Sequence, residues 1–348
     1  MFFASDNTSP AHPKVLEALG KANVGYMGSY GADPIMDDVR QTVRDLFKAP
    51  QAAVYLVATG SAANSLSLAT FCNPWDAVFC HRSAHIEVDE CGAPEFFTGG
   101  AKLVLVDGPD GKMAPARLRE TIKATPQGNV HSVQRGIVSI TNVTEAGGVY
   151  SVAEIAALTG IASDYDLPCH MDGARFANAL VATNASPAEM SWQSGIDVLC
   201  FGGTKNGLMG VEAVVIFDPA KAWEFELRRK RAGHLFSKHR FLSAQFQAYL
   251  QDGLWLEMAK AANRAAGRLI DGIGQASDVS FMYTPQANIV YATMPRRIHQ
   301  RLAKAGAIYE VIGDLGGADP SELMGSRMVC SWCTTDADID RFLGHLNG

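Results

Sequence analysis

Short apolar runs, rich in β-branched residues, recur along the first two thirds of the chain. Seven of them stand out, at residues 52–59, 76–81, 102–107, 136–142, 168–173, 197–203 and 212–218. They are continuous rather than alternating, which is typical of strands that are covered on both faces. Helix-like segments such as 114–124 and 151–166 lie between most of them. This alternation predicts an α/β fold with a mostly parallel, seven-stranded sheet.

The pattern changes after about residue 220. A long helical stretch over roughly 220–276 is followed by three weaker strand candidates, at 280–294, 307–312 and 326–333. A helix followed by several short strands is typical of a smaller α+β domain. We therefore expect three parts: an N-terminal segment that contributes to the active site, a large domain and a small C-terminal domain, at residues 1–15, 16–245 and 246–348.

Composition excludes some classes of function. A formal net charge of −6 on 348 residues gives no basic footprint for a nucleic acid. No apolar run approaches the roughly 18–20 residues that a membrane span needs, and the first residues show no signal-peptide pattern. Seven cysteines, an odd number, favour reduced thiols and a cytoplasmic protein. Cys330 and Cys333 form a lone C-x-x-C, which we interpret as strand residues rather than a metal site.

Polar side chains cluster where the predicted strands end, which is where ligands bind in open α/β sheets. After the first run, "ATGSAAN" places Thr59, Gly60 and Ser61 between a strand and an Ala/Leu-rich helix. Free backbone N–H groups at a helix N-terminus, together with two hydroxyls, form a cradle for a phosphate. The alternative is an ordinary N-cap, a position that Ser and Thr also favour.

Two ionisable residues follow neighbouring strands. Asp172 ends the fifth run in "HMDGARF", where a buried carboxylate needs a cationic partner. That partner is either a protonated pyridine nitrogen or the side chain of Arg175. Lys205 follows the next run in "FGGTKNG". Partial burial favours the neutral amine of a lysine, which forms Schiff bases with aldehydes; a solvated loop lysine is the alternative.

His85 follows the second run, where an imidazole either stacks on a flat cofactor ring, acts as a base or lies at the surface. A phosphate cradle, a strand-tip acid, a Schiff-base lysine and a ring-stacking histidine together meet the needs of one cofactor. The combination predicts pyridoxal 5′-phosphate.

At these residues the chain resembles the low-specificity L-threonine aldolases, pyridoxal-phosphate enzymes of the aspartate-aminotransferase fold, known as fold type I. The resemblance covers nearly the full length. It rests on "SDNTSP" (5–10), "YGADP" (30–34), "ATGSAAN" (58–64), "HIEVDECGAP" (85–94), "HMDGARF" (170–176), "FGGTKNG" (201–207) and "SRMVCSW" (326–332). It implies a homotetramer, built as a dimer of dimers, whose active sites are shared between subunits.

The resemblance also implies roles for individual residues. Lys205 would bond to the cofactor aldehyde, Asp172 would pair with the pyridine nitrogen and His85 would stack on the ring. The phosphate would be held by Thr59, Gly60 and Ser61. The substrate carboxylate or the cofactor's phenolic oxygen would be bound by Ser5, Arg175 and Arg327. Tyr30 and Asp33 would extend into the active site of the neighbouring subunit. Arg231 would contact the phosphate bound there, unless it lies on a solvated helix face.

Two features depart from the family's pattern. Many members have a histidine beside the substrate hydroxyl in a block like "ENTHN", whereas "TNVTE" (141–145) places Thr144 at the matching position. We therefore expect His85 to act as the base, directly or through a water, and we expect low threo/erythro selectivity. The region after "RRKR" (228–231) also lacks the family's glycine run.

The function that we expect is retro-aldol cleavage of L-threonine, L-allo-threonine and related β-hydroxy-α-amino acids to glycine and an aldehyde. Another reaction on the same cofactor, β-elimination or transamination, is the first alternative. The second is a non-enzymatic α/β protein that binds a phosphorylated ligand, which would leave Lys205 and Asp172 without a purpose.

Overall fold

A computed structural model describes all 348 residues and contains two β-sheets. The larger sheet has seven strands in the order β1-β7-β6-β5-β4-β2-β3, and the smaller has four in the order β10-β11-β9-β8. The strands are β1 (Ala53–Val57), β2 (Asp76–His81), β3 (Lys102–Val106), β4 (Gln134–Thr141), β5 (Cys169–Gly173), β6 (Val198–Phe201), β7 (Glu212–Ile216), β8 (Ser280–Phe281), β9 (Ile289–Pro295), β10 (Glu310–Ile312) and β11 (Leu323–Val329).

The predicted α/β architecture is confirmed, because each of the seven apolar runs overlaps one strand of the larger sheet. Strands β3, β2, β4, β5 and β6 are paired in parallel, whereas β7 runs antiparallel to both of its neighbours, β6 and β1. The reversed direction of β7 brings its first residue, Glu212, to the edge of the sheet where β1, β5 and β6 end.

Thirteen helices cover the sheets. They are α1 (Pro13–Ala22), α2 (Pro34–Phe47), α3 (Gly60–Phe71), α4 (His85–Val88), α5 (Ala93–Thr98), α6 (Pro115–Ala124), α7 (Val152–Ser163), α8 (Phe176–Thr183), α9 (Ala222–Arg231), α10 (Arg240–Leu250), α11 (Leu254–Ile273), α12 (Arg296–Lys304) and α13 (Asp336–Asn347). None of them combines the length and the apolar character that crossing a membrane requires.

Helix α3 consists of small and apolar residues on all sides because it is buried on all sides. Residues 62–70 of this helix are all buried, since it packs against the larger sheet and against α5 and α9. A helix that is buried all round has no polar stripe. The alanines and serines of "GSAANSLSLATF" let the helix approach its neighbours closely.

The helical stretch predicted over 220–276 is three helices, α9, α10 and α11, so the prediction of one continuous element was wrong. The first break contains Gly233 with φ of 77°. The second contains Asp252 and Gly253, with φ of 53° and 72°. An α-helix cannot continue through residues in the left-handed region. The interpretation of Cys330 and Cys333 as strand residues was also wrong, because β11 ends at Val329.

The two sheets have separate cores that share helix α11. Its first half, including Trp255 and Met258, belongs to the core of the larger sheet. Its second half, including Leu269 and Ile273, belongs to the core of the smaller sheet. The domain boundary at 245/246 stays a prediction. It falls within α10, which packs against α1 and α2.

Phe201, at the end of β6, lies in an aromatic cluster of the larger core, and a substitution there measures how much this core stabilises the fold. Phe201 is fully buried, and five aromatic rings have centroids within 5.9 Å of its own. We expect Phe201→Ala to lower the free energy of unfolding by about 3–5 kcal/mol, because it leaves a cavity among these rings. Urea unfolding followed by circular dichroism measures this. Phe96→Ala, at a ring that is 78% exposed, is the control, and equal losses in the two variants would contradict the prediction.

Candidate active site

A cavity of about 260 Å³ lies at the carboxyl ends of β1, β5 and β6. Its walls include six residues predicted from the sequence: Thr59, Gly60, Ser61, His85, Asp172 and Lys205. Asp172 lies at the end of β5, and the other five come from the connections that follow strands β1, β2 and β6. The fold therefore brings together residues that are up to 146 positions apart, from Thr59 to Lys205.

The N-terminus of α3 forms one wall; it has the predicted N-cap, and its backbone leaves room for an anion. Thr59 is the N-cap, and its hydroxyl oxygen accepts a hydrogen bond from the N–H of Ala62 at 3.2 Å. The N–H groups of Gly60 and Ser61 have no acceptor within the helix, because the first turn of a helix lacks one. A Cβ added at Gly60 would meet no atom within 4 Å, so an anion has room to approach these donors.

Asp172 lies at the end of β5 with its carboxylate 3% exposed. One oxygen, Oδ2, accepts a hydrogen bond from the amide of Asn64 at 3.0 Å, and Oδ1 accepts one from the N–H of Ala174 at 3.0 Å. Arg175 donates to a different acid, so the alternative of an Asp172–Arg175 ion pair was wrong. The geometry leaves Asp172 facing the cavity without a cation from the chain bonded to it.

Arg175 instead forms a buried ion pair with Asp6. Its Nε and Nη2 atoms lie 2.7 and 2.9 Å from the two carboxylate oxygens of Asp6, and Asn288 donates to the same carboxylate at 3.1 Å. Burial by itself raises the pKa of Asp6, but the Arg175 guanidinium more than offsets this and holds that pKa below its usual value. Arg175 is not part of the cavity wall, whereas Asn7, next to Asp6, is.

Hydrogen bonds and close packing fix the turn that carries Lys205. Tyr249 donates its hydroxyl hydrogen to the carbonyl of Gly202 at 2.9 Å, and the Asn206 amide donates to the Tyr249 oxygen at 2.9 Å. Gly207 has φ of 92°, and a Cβ there would lie 2.6 Å from the sulfur of Met258. The glycines around Lys205 therefore satisfy close packing, and the partly buried lysine side chain lines the cavity.

Glu212 is a wall residue that the sequence did not indicate. It is the first residue of β7, and its carboxylate accepts a hydrogen bond from the N–H of Gly203 at 2.6 Å. Burial raises the pKa of Glu212 to about 7. In the sequence, Glu212 is only the first residue of an apolar strand. The reversed direction of β7 is what places it at the site.

His85 begins α4 and contacts a buried acid, Glu90. The Nδ1 atom of His85 lies 2.8 Å from Oε1 of Glu90, and the same oxygen accepts a hydrogen bond from Asn64 at 2.9 Å. The hydrogen bond with Glu90 is the main reason that the pKa of His85 is raised, although burial opposes it. Asn64 and Glu90 lie within quoted motifs, but spacing alone did not distinguish them from neighbouring polar residues.

Thr144 and Ser5 have local structural partners. The hydroxyl of Thr144 is buried; it donates to the carbonyl of Asp110 at 2.8 Å and accepts from the N–H of Gly148 at 3.0 Å. Ser5 caps the short turn that follows it, by accepting from the N–H of Asn7 at 3.2 Å. The hydroxyl hydrogen of Thr144 is therefore already donated within the chain.

Arg327 and the three residues assigned to a neighbouring subunit are not among the residues that line the cavity. Arg327 is on β11, with Glu310 as its ion-pair neighbour at 3.6 Å. Asp33 is fully buried, where its carboxylate caps α2 by accepting from the N–H of Met36 at 2.9 Å. Tyr30 is 48% exposed, and Arg231 is exposed at the end of α9.

Fold and cavity together define a class of enzyme, the fold type I enzymes that use pyridoxal phosphate. The family model "Beta-eliminating lyase" matches residues 3–295, and the chain belongs to this family of lyases. The resemblance found in the motifs is confirmed by the low specificity L-threonine aldolase of Pseudomonas aeruginosa, which is 41% identical over 97% of this chain and 94% of its own length. The enzyme of the same description from Pseudomonas sp. is 40% identical over 97% of this chain and 94% of its own length.

Solved structures agree with these relatives. The threonine aldolase of Leishmania major superposes with a TM-score of 0.92 at 25% identity, over 99% of this chain and 98% of its own. The serine palmitoyltransferase of Sphingomonas wittichii shares the fold at 14% identity, with a TM-score of 0.70 over 100% of this chain and 86% of its own.

The cavity fits pyridoxal phosphate, the cofactor of this class. The N–H groups at the start of α3 are free to bind an anion. Asp172 is a buried acid that no cation of the chain neutralises through a hydrogen bond, and a protonated pyridine nitrogen meets that need. Lys205 supplies the only amine among the residues that line the cavity.

The buried carboxyl group of Glu212 makes the stability of the fold depend on pH. Because its pKa is raised from 4.5 to about 7, the folded protein keeps a proton that the unfolded chain releases between these values. Stability from this group is therefore present below pH 4.5 and is lost as pH rises to about 7. We expect Glu212→Gln to remove this loss, seen as a flatter dependence of the melting temperature on pH.

Calorimetry of the holoenzyme between pH 5 and 8 measures that dependence. Glu257→Gln, at an exposed glutamate on α11, is the matched control and keeps the wild-type slope. A Glu212→Gln variant with the same slope as the control would contradict the assignment.

Proposed function

We propose that the protein cleaves L-threonine, L-allo-threonine and related β-hydroxy-α-amino acids to glycine and an aldehyde. One observation carries the proposal: Lys205, Asp172, His85 and the N-terminus of α3 line a single cavity. The chain in which they do so is 41% identical to a low specificity L-threonine aldolase. The geometry supplies each group that the reaction needs on the cofactor.

Three parts of the chain hold the cofactor in this proposal. Thr59, Gly60 and Ser61 bind the phosphate, Lys205 bonds to the aldehyde carbon and Asp172 faces the pyridine nitrogen. When bound, pyridoxal phosphate accepts the electron pair that is released when the bond between Cα and Cβ breaks. Asn64 supports this arrangement, since its hydrogen bond fixes the orientation of the Asp172 carboxylate.

The substrate carboxylate is assigned to Arg327, with Ser5 beside it. The guanidinium of Arg327 is 16% exposed, and its ion pair with the half-exposed Glu310 is long at 3.6 Å. Holding the carboxylate selects which bond of Cα aligns with the ring, and such positioning is worth several kcal/mol. Arg175 contributes indirectly, because its pair with Asp6 places Asn7 in the wall. Asp33 acts in the same way, by holding the start of α2.

His85 is the base for the β-hydroxyl proton, directly or through a water. Its imidazole lines the cavity, whereas the hydroxyl of Thr144 is already engaged with Asp110 and Gly148. No fixed donor from Thr144 distinguishes the two orientations of the hydroxyl and the methyl group at Cβ. This absence supports low selectivity between L-threonine and L-allo-threonine.

We also propose a homotetramer, a dimer of dimers in which sites are shared. Tyr30, Met209 and Phe236 are partly exposed apolar side chains that line one open groove of about 850 Å³. Met209 is four residues from Lys205, so this groove adjoins the active-site turn. If a second copy of the chain covers this groove, Tyr30 of the first copy reaches the active site of the second. Arg231 of each copy then lies near the phosphate bound by the other.

The reaction is tested with the cofactor-loaded protein and three substrates: L-threonine, L-allo-threonine and D-threonine. We expect acetaldehyde and glycine in equal amounts from the two L-isomers alone. Lys205→Ala should abolish both the activity and the covalent attachment of the cofactor after borohydride reduction, because no other lysine lines the cavity. The measurements are an aldehyde assay, amino-acid analysis and mass spectrometry of the reduced protein.

The products also distinguish the alternative reactions on the same cofactor. β-Elimination, which the family's description makes the strongest alternative, would convert L-threonine to 2-oxobutyrate and ammonia. Transamination would require an oxo-acid acceptor and release no acetaldehyde. Either product pattern, with cofactor still trapped on Lys205, would replace the aldolase proposal.

Sharing of sites is tested by mixing two inactive variants. Tyr30→Ala and Lys205→Ala alter residues that belong, in this proposal, to different sites of one dimer. We expect their co-expression to recover part of the activity, since one site of each mixed dimer keeps both residues. Asp172→Ala with Lys205→Ala, which both alter the chain's own cavity, is the control and recovers none. Full activity of Tyr30→Ala alone would contradict the shared site.

A further inference from the structure

We propose that Glu90 is a positioning residue, which keeps a proton on Nδ1 of His85 and so leaves Nε2 as the atom that accepts the substrate's hydroxyl proton. The inference rests on the proposed function and deepens it, because it assigns the base to one nitrogen and names the residue that selects it. It follows from four contacts among His85, Glu90, Asn64 and Asp172.

The backbone between α4 and α5 directs Glu90 back toward the histidine. The two residues after it, Cys91 and Gly92, have φ of 52° and 71°. A left-handed conformation is unfavourable for a cysteine, and it persists where surrounding contacts hold it. The carboxylate that this turn delivers is completely buried, and its Oε1 lies 2.8 Å from Nδ1 of the partly exposed His85.

Asn64 shows where the proton of this contact lies. Its Nδ2 atom donates to Oε1 of Glu90 at 2.9 Å and to Oδ2 of Asp172 at 3.0 Å. An amide nitrogen has hydrogens and no lone pair to offer, so both facing oxygens are acceptors. The reverse orientation of the amide would set an oxygen against two acids, which requires both to be protonated. Oε1 therefore accepts from Asn64 and from His85, and the shared proton stays on Nδ1.

Burial makes this contact necessary for the carboxylate as well. Oε2 of Glu90 is buried and has no hydrogen-bond partner. The charge of Glu90 is thus supported through Oε1 alone, by one amide and one imidazole. A buried carboxylate with so few donors gains strongly from a partner that becomes cationic.

The remaining ring nitrogen, Nε2, has no buried partner. Its nearest acid is Asp89 at 3.5 Å, and that side chain is 80% exposed. In the proposed step the hydroxyl proton passes to Nε2, and the O–H electron pair forms the aldehyde C=O bond. The pair from the broken Cα–Cβ bond passes through Cα to the cofactor. Glu90 stays ionised and stabilises the imidazolium, as an acid behind a catalytic histidine does.

Charged groups from every neighbouring element act on His85. Glu90 raises the pKa of His85 most, burial lowers it, Asp172 raises it, Lys205 lowers it and Glu145 raises it. The two acids that form ion-pair contacts with the ring are Glu90 at 2.8 Å and the exposed Asp89 at 3.5 Å. Removing Glu90 should therefore lower the pKa of His85 more than removing any other single acid.

The experiment compares Glu90→Met with the wild type as holoenzymes. Met keeps the length of the side chain but offers no strong acceptor to Nδ1, so the contact that selects the Nδ1–H form is lost. We expect kcat/KM for L-threonine to fall about tenfold or more. We also expect the acid limb of its pH profile, which reports the free base, to move to lower pH. Affinity for pyridoxal phosphate, measured by fluorescence, should change little.

A direct readout of the ring nitrogens does not depend on activity. Solid-state NMR of protein labelled with ¹⁵N-histidine shows which nitrogen carries the proton, and a His85→Asn sample assigns the signal. We expect the Nδ1–H form in the wild type and in Glu90→Asp, and its loss in Glu90→Met. Glu87→Gln, at an exposed acid on α4, is the control and keeps the wild-type spectrum and pH profile.

An unchanged Nδ1–H signal and an unmoved acid limb in Glu90→Met would overturn the inference. If Asp89→Asn moved the limb while Glu90→Met did not, Asp89 would hold the ring instead. A wild-type protein that releases no aldehyde would contradict the proposed function, whatever the NMR spectra show. The two failures are therefore distinguishable.

Discussion

The ion pair between Asp6 and Arg175 is the interaction on which the assembly of the site depends. Both side chains are about 2% exposed, and removing one partner of such a pair typically costs about 3–5 kcal/mol because a bare charge stays buried. The pair joins the first residues of the chain to the turn after β5. Three residues before Asp6, Phe3 packs in the core of the smaller sheet, and its carbonyl accepts a hydrogen bond from the N–H of Val329.

Three buried acids surround the cavity, and each is held by donors from a different part of the fold. Asp172 is bound by the N–H of Ala174, Glu212 by the N–H of Gly203, and Glu90 by His85, while the amide of Asn64 links Asp172 to Glu90. Negative charge inside the protein is thus distributed over fixed donors before any ligand arrives. A cationic ring nitrogen and a protonated imidazole enter an environment that already favours them.

The sequence was sufficient to predict the fold and the residues at the centre of the site. Both depend on local patterns, namely continuous apolar runs and the polar residues at their ends. Thr59, His85 and Lys205 lie within four residues after a strand and Asp172 lies at the end of one, so strand order alone brings them to the same end of the sheet. Glu212 was missed because its place depends on the direction of β7, and the partner of Arg175 because Asp6 is 169 residues away. The breaks in the helical stretch were overlooked although Gly233 and the Asp252–Gly253 pair are turn signals.

Helix α11 limits how the two sheets can move relative to each other. Its 20 residues span about 30 Å at 1.5 Å per residue, with one end anchored in each core. A hinge rotation that closed the smaller sheet over the cavity would have to bend this helix or detach one half of it from its packing. Substrate-dependent closure in this chain is therefore restricted to small shear movements, or to loops such as the one that carries Tyr30.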